Sequence, residues 1–208
     1  MSDLIVVPFN KSHLEATARL HFDEMKQDLA TKLGFKVVRD VFHGGMLDYS
    51  GASGLVALFR GEVVGFVFIQ ADFLGYSAAQ RKKVKRYFFS IIPGFLRRPW
   101  LFNEALSARK YLSMEAVFTN LGPLLVKKEF RGTFGDSKIS LATHLSMLAF
   151  EEIKKQAPSY PVLTMIRPSN MPSIAAVAQG ARLAGFKLVG KTPIYFGSDK
   201  RFVYKYNL

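Results

Sequence analysis

A strand-like segment interrupted by Gly122-Pro123 constrains the fold more than any other feature of this sequence. Residues 114–126, MEAVFTNLGPLLV, are mostly the apolar, aromatic and β-branched residues that favour strands. Proline has no amide hydrogen to donate to a sheet ladder, so it is excluded from a regular central strand. The segment therefore predicts a strand that bulges at Gly122-Pro123.

A basic, glycine-containing stretch follows this strand. Residues 127–138, KKEFRGTFGDSK, lead into a helix predicted over 137–156. Amides in the first turn of a helix lack intrahelical partners, the helix dipole favours anions, and glycines let the backbone approach them. Two interpretations stay open, an anion-binding loop and a solvated basic turn. The Gly-Lys-Ser/Thr of a P-loop and the Gly-x-Gly-x-x-Gly of a dinucleotide fold are both absent, which excludes those two sites.

The rest of the hydrophobic pattern alternates between strands and helices. Strands are predicted over 4–9, 54–60, 62–70, 161–167, 187–196 and 201–208, and helices over 13–32, 36–47, 76–92, 99–110 and 171–184. The two strands that flank Gly61 form a hairpin. An antiparallel hairpin thus precedes a parallel crossover, which predicts a single mixed α/β (α+β) domain over 1–208 with a helical basic insertion at about 72–110.

Composition favours a soluble protein of a reducing compartment. The 208 residues are 49% hydrophobic and include no cysteine, which excludes disulfides, a thiolate zinc site and a cysteine nucleophile. No basic leader precedes an apolar run, and no run reaches the roughly 18–20 apolar residues of a membrane span. We expect a cytoplasmic location. The net charge of +13 would attract polyanions, anionic membranes or an anionic ligand.

Together these segments resemble the GNAT (Gcn5-related) N-acetyltransferases. The matched pieces are NLGPLLV with RGTFGDSK after it, the long helix that follows, and the late segment from VLTMIRPSN to ARLAGFKLVGKTPIYF. The resemblance covers nearly the whole chain. It implies a mostly antiparallel sheet of about seven strands flanked by helices, with a bulged fourth strand that splays to admit the pantetheine arm of acetyl-CoA. The implied activity is acetyl-CoA-dependent N-acetylation by direct transfer in a ternary complex.

The resemblance also implies which residues hold acetyl-CoA. Backbone groups of Leu124 and Val126 would pair with pantetheine, and amides from Gly132 to Ser137 would hold the pyrophosphate. The full set is Leu124, Val126, Arg131, Gly132, Thr133, Phe134, Gly135, Asp136, Ser137, Lys138 and Asn170. Phe134 and Asp136 depart from the small residues of the family's loop, and a carboxylate near phosphates is unfavourable unless a cation pairs with it. For Asn170 the alternative role is a helix cap.

Candidate catalytic residues are Glu115, Asn120 and Tyr195. Glu115 could remove the proton of an amine, directly or through water, or be a surface charge at the strand end. Asn120 would orient substrate or water, or satisfy the bulge. The family often protonates the thiolate with a tyrosine four residues before Gly-Phe, where this chain has Ala181, so Tyr195 is the substitute. His13, His21 and His43 show no metal-binding spacing, and no metal is expected.

The insertion at 72–110 contains nine Arg or Lys against two acids. It resembles insertions of GNAT proteins linked to sugar and cell-envelope biosynthesis, and it precedes the bulged strand, so it should cover the acceptor side. Its candidates for an anionic acceptor, such as a nucleotide-linked amino sugar, are Arg81, Lys82, Lys85, Arg86, Arg97, Arg98 and Trp100. Alternatively its aromatics bury the helices on the domain while the charges face water, or it contacts an anionic membrane, nucleic acid or ribosome.

Two other functions stay open at the level of sequence. One is protein or ribosome-associated N-acetylation. The other is a degenerate GNAT domain that binds CoA or a partner without efficient transfer, as monomer or homodimer.

Overall fold

Seven strands form one mixed sheet in the computed structural model, which describes residues 3–103, 106, 118–132, 138–156, 161–196 and 199–208. The strands are β1 Leu4–Pro8, β2 Ala52–Phe59, β3 Glu62–Gln70, β4 Thr119–Val126, β5 Val162–Ile166, β6 Lys187–Phe196 and β7 Asp199–Asn207. Their order is β1-β2-β3-β4-β5-β7-β6, and only β4 and β5 pair in parallel. This confirms the predicted fold class.

Helices flank the sheet on both faces. They are α1 Leu14–Glu24, α2 Leu29–Leu33, α3 Gly44–Asp48, α4 Phe73–Arg86, α5 Phe88–Arg97, α6 Leu141–Lys155 and α7 Met171–Leu183. A π-helix, Val37–His43, runs directly into α3, and 3-10 turns occupy Lys11–His13 and Lys128–Phe130. None of the helices in the described ranges is long and apolar enough to cross a membrane.

Alternation along the strands divides the apolar side chains between two cores. Val67 and Leu121 join Leu145 and Phe150 of α6 in the larger core, together with residues of α7. Phe66, one residue from Val67, faces the opposite core, which is built with α1, α3 and α4. Successive strand residues point to opposite faces, so burial of both faces requires the nearly continuous apolar run seen in β3.

The β2–β3 hairpin closes as predicted around Gly61. Arg60 and Gly61 both have positive φ, 51° and 82°. Positive φ at both central residues is the signature of a type I′ turn, whose twist matches that of the flanking strands.

The prediction of one continuous helix over 13–32 is wrong, because this segment forms two helices. Asn10 caps the 3-10 turn that leads into α1, but α1 ends at Glu24. The carboxylate of Asp28 then accepts a hydrogen bond from the amide of Ala30 and caps α2. An aspartate that can satisfy a free first-turn amide starts a new helix more readily than it continues an old one.

The segment predicted as a helix over 36–47 is helical, and Gly44-Gly45 lies within it. A π-helix is followed there by α3. A Cβ added to Gly45 would lie 1.6 Å from Nε2 of Gln80. The glycine therefore gives α4 room to pack closely against this segment.

The insertion folds differently from the two predicted helices over 76–92 and 99–110. The break falls at Tyr87, between α4 and α5, and Pro93 lies inside α5. Proline removes one helical hydrogen bond. The half-buried Tyr87 and Phe95, with buried Ile91, pack on Val37 and Val41 instead. Residues 100–103 are helical, and most of the remaining predicted segment lies outside the described residues.

The later helices are close to their predictions. α6 begins at Leu141, four residues after the predicted start at 137, because Ser140 caps it through the amide of Thr143. α7 begins at Met171 and is capped by Asn170, as predicted. β4 is described from Thr119, so the candidate Glu115 lies outside the described residues.

Candidate functional site

The predicted bulge in β4 is present at Gly122-Pro123. Val67 of β3 pairs with Leu124 of β4, and Ile69 pairs with Leu121, so β4 carries one residue more than β3 across this interval. Gly122 has φ 143°, a conformation that L side chains rarely adopt. The bulge thus needs glycine before the proline.

Beyond Asn120, β4 separates from β5. The two parallel strands pair only through Thr119 with Val162 and Asn120 with Leu163. At the far end of β4, the amide of Lys127 donates to the carbonyl of Val64 on β3. Because backbone groups alternate in direction along a strand, those of Leu124 and Val126 point to the opposite, open edge. The strand therefore directs the backbone groups of Leu124 and the amide of Val126 to a wedge between β4 and β5, while the carbonyl of Val126 accepts a hydrogen bond from Arg131.

A cavity of about 130 Å³ occupies this wedge. β4 contributes Leu121–Leu124, β5 and the residue after it contribute Thr164–Arg167, and the start of α7 contributes Asn170, Ser173 and Val177. Asn170 thus lines the wedge while it caps α7.

A larger cavity, about 350 Å³, adjoins the wedge. Its walls are mostly apolar, and its polar lining residues are His21, Asp28, Asn120 and Arg201. Met25, Asp28, Leu121–Pro123, Met165 and Arg201 line both cavities. The two cavities therefore form one groove that turns at the bulge.

Asn120 is hydrogen-bonded to a side chain that contacts the bulge. Its Nδ2 donates to Oε1 of Gln70 at 2.5 Å. Nε2 of Gln70 in turn lies 3.4 Å from the carbonyl of Gly122 and 3.2 Å from the sulfur of Met46. Of the two roles considered for Asn120, these contacts supply the structural one, while its place in the cavity wall leaves it beside any bound ligand.

A buried chain of polar side chains leads to the groove, and the sequence analysis did not find it. Oγ1 of Thr17 lies 3.0 Å from Nδ1 of His43, and Nε2 of His43 lies 3.0 Å from Nδ1 of His21. Nε2 of His21 lies 3.4 Å from Oδ2 of Asp28. Thr17, His21 and His43 are buried, whereas Asp28 is 22% exposed at the groove. The sequence spacing carries no signal for this chain, since packing alone joins the two imidazoles.

Two pKa shifts follow from this arrangement. Burial, with the nearby His21, lowers the pKa of His43 well below its ordinary value, so His43 is neutral near pH 7. Burial raises the pKa of Asp28, but the adjacent His21, the charge of Arg201 and the amide of Ala30 together outweigh it, so the net pKa is lowered. A carboxylate thus faces the groove. No group of three His, Cys, Asp or Glu within the described ranges, this one included, could hold a metal ion.

The basic loop is only partly described. Thr133–Ser137, including Phe134 and Asp136, lie outside the described residues. Gly132 has φ 131°, and Lys128 and Lys138 are exposed. Arg131 is engaged within the chain: its Nε donates to the carbonyl of Val126 at 3.0 Å, and its Nη2 pairs with Glu24. Because Arg131 also fixes α1 against the end of β4, a substitution there would alter more than an anion site.

The remaining predicted site residues lie away from the groove. Tyr195, on β6, is 60% exposed and lines neither cavity. The same is true of the seven candidates in the insertion, Arg81, Lys82, Lys85, Arg86, Arg97, Arg98 and Trp100, all of which are exposed. Among the described residues of the insertion, Phe73 at the start of α4 contributes to the larger cavity.

Exposed apolar side chains follow one side of α5 and the residues after it. They are Phe89 (84% exposed), Leu96 (77%) and Trp100 (61%). Phe89 and Leu96, seven residues apart, lie on one face of α5 with the exposed Pro93 between them, and Trp100 follows shortly after α5 ends at Arg97. Arg97 and Arg98 are exposed next to these side chains in the chain, and further exposed cations lie on the preceding helix, α4. We call Phe89, Leu96, Trp100 and these cations the α5 face.

No protein-family model matches the sequence, and no curated protein sequence matches it. Solved structures match over nearly the full length. An N-acetyltransferase from Staphylococcus aureus Mu50 has a TM-score of 0.58 at 16% identity, covering 99% of this chain and 98% of that one. The ribosomal-protein-alanine N-acetyltransferase of Brucella melitensis has a TM-score of 0.57 at 15% identity, covering 98% and 99%. Arabidopsis thaliana NAA60 in complex with acetyl-CoA has a TM-score of 0.55 at 14% identity, covering 98% and 97%.

These similarities establish the fold. The chain has the architecture of the GNAT acetyltransferases, with the bulged fourth strand and the wedge beside it. At these identities the likeness does not extend to a particular acceptor.

Proposed function

We propose that this protein is an acetyl-CoA-dependent N-acetyltransferase. The observation that carries the proposal is the separation of β4 from β5 after two pairs, which opens a wedge directly onto a second cavity. Backbone groups of Leu124 and Val126 at the open edge suit the amides of a pantetheine arm. A GNAT fold solved with acetyl-CoA, that of NAA60, supports the choice of donor.

The pyrophosphate would lie at the far end of the wedge. Gly132 and the amides up to Ser137 would hold it, with Lys128 and Lys138 adding positive charge. The acceptor amine would enter from the larger cavity. Donor and acceptor would then meet at the bulge, where the two cavities share their walls, and transfer would be direct.

The wedge can be tested without knowing the acceptor. Ser173 lines the wedge on α7, and Phe in its place would fill the space proposed for pantetheine. Ala175 is exposed on the same helix, so Ala175→Phe is the matched control. We expect Ser173→Phe to weaken acetyl-CoA binding at least tenfold, about 1.4 kcal/mol, by calorimetry, with the control unchanged.

Three results would contradict the proposed function, move the donor site or indicate a degenerate domain. Absence of acetyl-CoA binding by the wild type would overturn the proposal. Equal binding by the wild type and Ser173→Phe would move the donor site away from the wedge. Binding without thioester consumption across a panel of primary amines would favour a degenerate domain.

We propose further that the α5 face docks on an anionic membrane surface rather than holding the acceptor. Its cations do not line the groove, and large apolar side chains stand exposed between them. Basic side chains beside exposed Phe, Leu and Trp are the composition of helices that lie in a bilayer interface. The acceptor would then lack the diphosphate contacts expected from the insertion.

A further inference from the structure

The hydrogen bonds of the buried chain determine where its protons lie. Oγ1 of Thr17 donates its single hydrogen to the carbonyl of His13 at 2.9 Å, because a carbonyl can only accept. Towards His43 the same oxygen then accepts, so of the two possible tautomers of His43 we infer the one with a hydrogen on Nδ1. His43 is neutral, and its Nε2 is therefore an acceptor.

The direction of the hydrogen bond between His43 and His21 follows from this assignment. Since Nε2 of His43 accepts, Nδ1 of His21 must donate to it across 3.0 Å. His21 then has only Nε2 left to bind or release a proton. This atom is buried, makes no hydrogen bond, and lies 3.4 Å from the carboxylate oxygen of Asp28.

Two acceptor atoms thus converge at the wall of the groove. A lone pair on Nε2 of His21 and a carboxylate oxygen of Asp28 repel each other unless a hydrogen lies between or beside them. That hydrogen can be a proton on the imidazole or an N–H of a bound ammonium group. His21 and Asp28 both line the larger cavity, and Asp28 also lines the wedge.

We propose that Asp28 and His21 bind the acceptor's ammonium group and accept its proton. Thr17 and His43 are positioning residues, because they fix the His21 tautomer that leaves Nε2 open. The proposal rests on the acetyltransferase function above. It assigns the role of base to Asp28 and His21, whereas the resemblance to the family placed the candidate base on β4.

Proton transfer from the acceptor precedes acetyl transfer. The ammonium group of the acceptor loses one proton to the Asp28–His21 pair. The neutral amine attacks the thioester carbon of acetyl-CoA, the C–N bond forms, and the C–S bond breaks. The second amine hydrogen protonates the departing thiolate, and the pair releases its proton to solvent.

The cavity also indicates the class of acceptor. Beyond its polar corner it is lined by Met25, Leu29, Phe42, Phe73, Leu121, Pro123 and Met165. Its volume of about 350 Å³ is within the range of small-ligand pockets, roughly 300–1,000 Å³. A primary amine on an apolar stem fits this lining better than a highly charged group does.

Asp28→Asn tests the pair with little change in shape. Asparagine is an equally good helix cap, so α2 should keep its start while the carboxylate is lost. Asp23→Asn on α1, whose carboxylate is 56% exposed, is the matched control. We expect kcat/KM with primary alkylamines to fall at least about 100-fold in Asp28→Asn, the size expected for a general base. Acetyl-CoA affinity and the unfolding midpoint should stay near those of the wild type.

Nitrogen NMR of labelled histidine gives a readout that does not require turnover. Butylammonium chloride should shift Nε2 of His21 in the wild type and in Asp23→Asn, but not in Asp28→Asn. The groups that face the pair from neighbouring elements are His43 of the π-helix and Arg201 of β7, with Arg167 bound to the carbonyl of Gln27. All three are unchanged in both variants.

The outcomes distinguish this proposal from the function on which it rests. If the wild type acetylates amines and Asp28→Asn does so equally well, the pair is not the base and the inference is wrong. If no amine is acetylated by the wild type, the proposed function fails, and the NMR shift alone decides whether the pair binds ammonium groups. Absence of that shift in the wild type overturns the site.

Discussion

His43 is fully buried and still keeps a hydrogen bond at each ring nitrogen, to Thr17 and to His21. A buried imidazole with both nitrogens satisfied in the neutral form resists protonation, which explains its lowered pKa. The same residue therefore influences two properties, the tautomer of His21 in the proposed site and the acid stability of the fold.

We expect the free energy of unfolding to fall as pH drops below about 6.5, where an unfolded histidine begins to bind a proton. Folded His43 does not bind it until lower pH, so the unfolded state gains protons first and stability rises with pH across this window. A single histidine contributes a slope of at most about 1.4 kcal/mol per pH unit. The lowered pKa of Asp28 acts at more acidic pH, below its ordinary value of 3.8.

Urea unfolding between about pH 7 and 5 measures this slope. His43→Gln should lower stability at pH 7 and flatten the slope. Val41→Ala, on the same π-helix, should lower stability through a cavity, by about 1–3 kcal/mol, and keep the slope. Identical slopes in the wild type and His43→Gln would show that His43 is not the titrating group.

Among the elements, α6 and α7 approach closely enough to exclude side chains. A Cβ added to Gly180 of α7 would lie 2.7 Å from the amide nitrogen of Met147 and 2.6 Å from Oγ of Ser146 on α6. The first of these is backbone, which cannot move aside as a flexible side chain can. This contact holds α7, and with it Ser173 and Val177, against the wedge.

Gly180→Ala should therefore destabilise the protein, although alanine has the higher helix propensity by about 1 kcal/mol. Overpacking of this kind costs about 1–3 kcal/mol and exceeds that gain. Ala178→Gly, at an exposed position on α7, calibrates the propensity effect with a loss of about 1 kcal/mol. A higher melting temperature for Gly180→Ala would mean that the helices are free to separate.

For the molecule as a whole, positive charge is unevenly placed. Residues 72–110 hold nine of the 29 Lys and Arg residues, and those of the α5 face are exposed beside large apolar side chains. The larger cavity, by contrast, combines one carboxylate with Arg201 inside mostly apolar walls. Membrane docking and acceptor binding would thus use separate surfaces.

Vesicle sedimentation tests the docking surface. Replacing Arg97 and Arg98 by Gln should weaken binding to phosphatidylserine-containing vesicles by about 2 kcal/mol, because each cation near an anionic leaflet contributes about 1 kcal/mol. Arg182→Gln with Lys187→Gln removes equal charge from exposed positions at α7 and β6, and should have little effect. Equal loss from both double variants would indicate net-charge attraction without a docking face. Trp100→Ser should weaken binding at high salt as well.

Local sequence rules predicted several parts of the structure. Gly122-Pro123 predicted the bulge, since proline cannot donate to the ladder. Asn170 predicted the start of α7 through its side-chain cap. The same rules failed at Asp28, where the aspartate caps α2 although it lies within an apolar helical period. They also failed at Pro93, which lies inside α5 because the packing of Ile91 outweighed the lost hydrogen bond. At Asp28 a local cap outweighed the apolar periodicity, and at Pro93 a longer-range contact outweighed the local preference.

The sequence by itself determined the order of strands and helices, the bulge and the placement of charge, because these follow from properties of neighbouring residues. Only the tertiary structure decided that Thr17, His21 and Asp28 join His43 in one chain at the groove, and that the described cations of the insertion do not line it. The two imidazoles are 22 residues apart in the chain and 3.0 Å apart in space. Such proximity depends on how α1 packs against the π-helix, and no local periodicity encodes it.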